Sequence, residues 1–136
     1  QTPVVTLVGK SSDYQAKAVL NVTPEENIAM IGDTVRLMHS AGRQVIYDAE
    51  HFFDTYRTNP QYALSTRRAA EEAGASVLCL CDTNGGSMPE FVARAVAEGA
   101  GGTLQHRAAA DVGTEAVWWF PTVADRTPPT PASPPS

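Results

Sequence analysis

Basic residues, long apolar runs, cysteines and histidines are all scarce in this chain. Lys and Arg total 10 against 15 Asp and Glu, leaving a net charge of −5. Without a basic stripe to neutralise phosphates, nucleic acid and anionic membrane surfaces are excluded as partners. No apolar run approaches the ~18 residues of a membrane span, and no signal-peptide pattern is visible, so a cytoplasmic location is expected. The two cysteines, Cys79 and Cys81, stand two apart in an apolar run. On a strand they would share a face and be too constrained to pair, which reads as buried thiols in a reducing compartment. A zinc site would want a second Cys or His pair at ligand spacing, and there is none. Also missing are a G-x-G-x-x-G turn, a phosphate loop and a nucleophile elbow, which removes support for nucleotide and serine-hydrolase chemistry.

What is present is a β/α rhythm. The 136 residues, 43% of them apolar, are enough for one ordinary domain with a core. Residues 4–8 (V-V-T-L-V) read as a buried strand closed by Gly9. Thr23-Pro24-Glu25-Glu26 is a capping box with Pro at the first helical position, and Ile28, Ile31, Val35 and Met38 follow at helical spacing until Ala41-Gly42. Val45-Ile46-Tyr47 is a short strand followed by a long turn. Asn59-Pro60 opens a helix bearing Ala63, Leu64, Ala69, Ala70 and Ala73, closed by Gly74. Val77 to Cys81 is the next strand, and Ser87-Met88-Pro89-Glu90 reads as a second capping box before Phe91, Val92, Ala95 and Val96. Short apolar strands alternating with helices predict a parallel sheet covered by helices. The fold class expected is α/β: about three β/α units of a partial TIM (β/α)8 barrel.

The rhythm stops near residue 97. Residues 99–113 offer no apolar run for a fourth strand, Val117-Trp118-Trp119-Phe120 is short and isolated, and residues 121–136 hold six prolines. The expected division is therefore 1–97 as a barrel portion and 98–136 as an irregular, disordered Pro-rich tail from a frameshift, truncation or unrelated sequence. At the other end, Gln1 leads directly into a strand, which points to a missing N-terminal part.

Two strand ends collect the polar chemistry. Asp48-Ala49-Glu50-His51 with Asp54 is dense in ligand-type side chains, although polar residues crowd any strand-to-helix turn and the spacing matches no standard metal motif. If the strand continues past Tyr47, alternation puts Asp48 and Glu50 on one side, where Glu50 could orient a substrate or act as an acid or base. Asp82-Thr83-Asn84-Gly85-Gly86 is equally a turn tolerant of positive φ and a place for the Thr83 hydroxyl to meet a carboxylate or carbonyl. After the first strand, Lys10 and Ser11 suit either a solvated loop or an anionic substrate. His39 belongs to a helix C-terminus.

The stretches V-G-K-S-S-D, T-P-E-E-N-I-A-M-I, G-R-Q-V-I-Y-D-A-E-H-F-F-D, N-P-Q-Y-A-L and L-C-D-T-N-G-G-S-M-P resemble the citramalate synthase family, relatives of 2-isopropylmalate and homocitrate synthases. The resemblance covers Val5 to about Val96. It implies the fourth to sixth strands of a TIM-type barrel in which a divalent metal (Mg, Mn or Zn) polarises a 2-oxo acid. The enolate of acetyl-CoA then adds to pyruvate, and hydrolysis of the CoA ester gives citramalate, on a route to isoleucine. The parent is implied to be a homodimer. Glu50 matches the family's active-site glutamate and Thr83 a threonine that contacts the oxo acid. Ser11 and Gln15 fall at substrate-side positions, with Gln15 where the family usually has His. The metal-ligand motifs of the family's first and seventh strands do not occur, so no metal ligand is assigned to this chain and it is expected to be inactive alone. Three of eight units would also leave two open parallel edges. The alternatives are a sister synthase acting on another oxo acid, and a non-catalytic module whose barrel a partner completes.

Overall fold

The computed structural model describes residues 2–100, 103–109 and 113–119, and the side chains of residues 2–100. Contacts divide the chain after Ser87 into two compact units, ten residues before the boundary expected from the sequence.

The first unit is α/β. It begins with strand β1 (Val4–Lys10), helix α1 (Asp13–Ala18) and helix α2 (Pro24–Ser40). Strand β2 (Gln44–Glu50), helices α3 (Phe52–Thr58) and α4 (Pro60–Glu72), and strand β3 (Val77–Leu80) follow. The strands form one parallel sheet in the order β1-β2-β3, with Val8 opposite Asp48 and Asp48 opposite Cys79. Sequential parallel neighbours are the arrangement of consecutive barrel units; a doubly wound sheet reverses its order at a switch point.

One face of the sheet carries the core. Val45, Tyr47 and Ala49 alternate along β2 and are fully buried, together with Val35 of α2, Phe52 of α3, and Ala63 and Ala70 of α4. Helices α2 and α4 pack on each other and on the strands. The opposite face is exposed at Val4, Val8 and Val77, and Asp48 and Glu50 stand on it half-buried. Gly9 sits where the Tyr47 ring approaches so closely that an added Cβ would lie 2.4 Å from it, which only glycine allows.

Local signals explain most boundaries. Thr23 Oγ1 accepts the Glu26 N–H at 3.1 Å and Pro24 occupies the first turn of α2. Asn59 Oδ1 accepts the Tyr62 N–H at 3.2 Å to open α4. Three expectations are corrected. Strand β2 runs through Asp48 to Glu50, because pairing with β1 on one side and β3 on the other carries it past the first polar residue. The long turn after it contains α3, held by buried Phe52 and Phe53 and by stacking of Phe52 on Tyr56 at 5.7 Å. The loop after β1 contains α1, whose cap Ser12 accepts the Gln15 N–H at 3.3 Å.

The second unit has helix α5 (Pro89–Gly99), strand β4 (Thr103–Ala109) and strand β5 (Gly113–Trp119). The second capping box does not form: Met88 is the N-cap of α5 and makes no side-chain cap bond. Strands β4 and β5 pair antiparallel as a separate sheet, with Thr103 opposite Trp119 and Ala109 opposite Gly113. A strand at 103–109 was not expected, since it lacks an apolar run; main-chain pairing with β5 supplies what its side chains do not signal. The tail expected over 98–136 lies outside the described residues from 120 onward. Among the described residues no helix is long and apolar enough to cross a membrane.

Candidate functional site

The C-terminal ends of β1, β2 and β3 lie side by side, and the polar residues singled out in the sequence converge there. Lys10 and Glu50 are direct neighbours in the β1–β2 register, and their side chains form an ion pair about a quarter exposed. The Ser11 N–H continues the ladder to the Glu50 carbonyl at 3.1 Å. Glu50 thus ends a central strand, fixed by main-chain bonds and by an ammonium group alongside.

Thr83 meets the same rim from β3. Its hydroxyl oxygen accepts the His51 N–H at 2.8 Å, which leaves the hydroxyl hydrogen to donate elsewhere. His51 adopts a left-handed conformation, φ 60°, that breaks β2 and turns the chain into α3. Its Nδ1 lies 3.3 Å from Asp54 Oδ2, which also accepts from Asn84 Nδ2 at 2.8 Å. Asp82 braces the turn from inside: its carboxylate accepts the Ser87 N–H at 2.9 Å and the Ser87 hydroxyl at 2.8 Å. These bonds, the main-chain one first, hold Asp82 below the usual carboxylate range. Ser87 therefore serves Asp82 and not the helix that follows. Gly85 and Gly86, at φ 74° and 87°, give the turn the positive dihedrals the sequence anticipated.

Ser11 and Gln15 do not join this group. The Ser11 side chain is fully buried, 3.2 Å from the Tyr47 hydroxyl and 2.9 Å from Thr66 Oγ1. That hydroxyl, expected at the substrate side, is placed on the helix-covered face. Gln15 lies half-buried in the first turn of α1, where its backbone N–H completes the Ser12 cap. Lys10, next to Ser11 and on the other face, is the residue that reaches the rim.

Two arrangements escaped the sequence reading. One is a buried polar layer beneath the sheet. Burial pushes the Tyr47 hydroxyl up to about 12 against the opposing pull of its bonds to Ser11 and Thr66. Asn27 Nδ2 donates to Tyr62 Oη and to the Lys10 carbonyl, both at 2.8 Å. The signal was Asn27, Tyr62 and Thr66 at core positions of amphipathic helices. The other is at the rim. Asp48, Cys79 and Cys81 share the open face with ligand atoms all within 4.8 Å of one another. Cys79 is exposed and Cys81 half-buried, so the expectation of buried thiols is corrected; the open sheet face is the reason. Cys81 donates to Asp48 at 2.7 Å, and burial followed by that carboxylate pushes its thiol up to about 12.

A cavity of about 230 Å³ between β1 and α2 is lined mostly by apolar groups such as Leu7, Ile31 and Val35.

No protein-family model matches the chain. Curated relatives do. The chain is 52% identical over 94 residues to the (R)-citramalate synthase of Streptomyces coelicolor, 69% of this chain and 18% of that protein. It is 54% identical over 85 residues to that of Synechocystis, 62% of this chain and 16% of that protein. To that of Aquifex aeolicus it is 51% identical over 92 residues, 68% of this chain and 17% of that protein. Over this stretch the chain is a relative of the (R)-citramalate synthases. It spans under a fifth of the length of the relatives it matches. The citramalate-synthase-like segment has the α/β architecture that the resemblance implied, with three parallel strands in barrel order.

Proposed function

We propose that this chain carries the substrate-side rim of a citramalate synthase, an acyltransferase of branched-chain amino-acid biosynthesis that condenses acetyl-CoA with pyruvate. The observation that supports this best is the meeting of Glu50, Lys10 and Thr83 at adjacent strand ends on the open face. In this reading the Thr83 hydroxyl donates to the carboxylate or carbonyl of the oxo acid. Glu50, steadied by Lys10, orients the reacting partners and accepts a hydrogen bond from them. Lys10 adds positive charge that favours an anionic oxo acid. Ser11 and Gln15 support the rim from beneath and from α1.

Mg²⁺ and Mn²⁺, two of the metals expected of the family, do not fit the donors described here. Mg²⁺ and Mn²⁺ select oxygen ligands, whereas the three-residue ligand cluster among the described residues holds two sulfurs and one carboxylate. No step is routed through a metal on this chain's residues, and the chain by itself is inactive in this reading. Residues 1–97 belong to the barrel portion and 98–136 to a tail that takes no part. The free thiols at positions 79 and 81 agree with a cytoplasmic enzyme, and the complete synthase acts as a homodimer.

A chimera tests the proposal. The matched segment of the Streptomyces coelicolor enzyme is replaced by this one, and citramalate formation is measured. Activity should survive; Glu50→Gln should lower kcat by about 100-fold or more, as loss of a positioned acid–base or orienting group does. Thr83→Val should raise KM for pyruvate. A folded chimera with unchanged kinetics in both variants would sink the assignment.

A further inference from the structure

We propose that Asp48, Cys79 and Cys81 form a binding site for a soft divalent cation such as Zn²⁺, on the open face of the sheet. The site is independent of the synthase reading, since none of its residues was given a role there. The sequence hides it because the third ligand comes from a neighbouring strand: Cys79 and Cys81 lie two apart on one chain segment, and Asp48 is the register partner of Cys79 on β2. A search for a second Cys or His pair along the chain misses a ligand supplied across the sheet.

The geometry matches thiolate ligation. Two sulfurs bound to one tetrahedral zinc at about 2.3 Å each lie roughly 3.8 Å apart. The Cys79 and Cys81 sulfurs are 4.0 Å apart, on the same face, with no disulfide between them. A carboxylate oxygen sharing that zinc would sit about 3.5 Å from each sulfur. Asp48 Oδ1 is 2.7 Å from Cys81 Sγ and the ligand atoms lie within 4.8 Å of one another, so the carboxylate must draw back from Cys81 by less than an ångström and close on Cys79 by about one at most. That contact is held by the thiol proton, and the cation takes the proton's place.

Chemistry favours a soft ion. Two thiolates and one carboxylate prefer Zn²⁺ or Cd²⁺ over Mg²⁺ or Ca²⁺. On binding, both thiols lose their protons to solvent, and the cation then faces three negative ligands for a net site charge of −1. A water molecule completes the tetrahedron from the open side, where Cys79 is exposed. Three protein ligands with an accessible fourth position form an open site, and a thiol- or carboxylate-bearing small molecule could displace that water. Lys10 and Glu50, one step further along the strands, pair with each other and supply no ligand.

The test uses the complete 136-residue chain, reduced and freed of metal. Co²⁺ is added as the optical probe and Zn²⁺ is then titrated against a chromophoric chelator. A thiolate-to-cobalt charge-transfer band and one Zn²⁺ per chain are expected. Cys79→Ser and Cys81→Ser should each abolish the band and weaken Zn²⁺ by at least the roughly 10–100-fold that losing even an outer-shell partner causes. Asp48→Asn should keep a weaker, shifted band. His51→Asn, at the neighbouring His51–Asp54 pair, should leave both readouts unchanged. Should a serine variant unfold, as far-UV circular dichroism would reveal, protection of Cys79 and Cys81 from alkylation by Zn²⁺ in the unmutated chain decides instead. No band, no protection, or a band lost in His51→Asn but kept in both serine variants would overturn the proposal.

Discussion

The two faces of the three-stranded sheet use the same kinds of polar residue to opposite ends. On the covered face Ser11, Tyr47 and Thr66 close on one another, and Asn27 joins Tyr62 to the Lys10 carbonyl. Among the described residues, every buried side-chain nitrogen and oxygen has a hydrogen-bond partner. On the open face Lys10, Glu50, Asp48 and the two cysteines stand partly in water, with atoms left to meet something else. Residue type alone does not separate these groups; the side of the pleat does. Lys10 and Ser11 are adjacent in sequence and end on opposite faces, one at the rim and one in the core.

The largest expected effect comes from breaking the covered face. Phe52→Ala empties a fully buried site and should lower unfolding stability by about 3–5 kcal/mol in urea titration. A loss under about 1 kcal/mol would mean that the covered face is not a packed core. Tyr47→Phe comes next: removing the hydroxyl takes one partner from Ser11, which keeps its bond to Thr66, and should remove about 1 kcal/mol. Its ring contact with Gly9 stays, so the difference isolates the polar layer.

On the open face, Glu50→Gln should change stability by less than about 1 kcal/mol, because a partly exposed ion pair contributes little. The same substitution should strongly reduce activity in the chimera. A residue that matters much for turnover and little for folding is the contrast the two faces predict.

Acid offers a finer probe. Unfolded, Asp82 titrates near its ordinary value of 3.8; folded, its bonds to Ser87 depress it. Its contribution is therefore complete above the unfolded value and is lost as pH falls through the lower folded value. Acid unfolding curves of Asp82→Asn should lack that part of the decline; identical curves would show that the turn does not depend on it. The smallest effect belongs to Val8→Ser on the open face, within about 0.5 kcal/mol of the original in the same urea titration. At 65% exposure Val8 has little burial to lose.

The fold was legible where local signals and periodicity agreed. Thr23 and Asn59 capped the helices expected of them, and the apolar runs gave all three parallel strands. The errors have one physical source, the tertiary neighbour that a linear reading does not contain. Asp48 and Glu50 looked like a turn until pairing on both sides made them strand. Ser12-Asp13-Tyr14-Gln15 carries capping-box spacing, yet the helix after it is only six residues long and has little periodicity to reveal it. Ser87 looked like a cap and became a ligand of Asp82, five residues earlier. Of the candidate residues, Glu50 and Thr83 could be assigned to the rim because their strand ends were clear. Ser11 could not, because one residue of register decides which face it takes.

The bond between His51 and Thr83 has unequal ends. The donor belongs to the main chain, so any residue that accepts the left-handed φ of 60° there, such as glycine or asparagine, replaces histidine and leaves it intact, whereas proline deletes it. The acceptor is a side-chain hydroxyl, and few residues offer an oxygen at that reach. Side-chain chemistry is thus free at position 51 within what its backbone conformation allows, and fixed at position 83, although both hold the same joint between two strand ends. A survey of tolerated substitutions would find residues chosen for backbone conformation on one side of this bond and for a hydroxyl on the other.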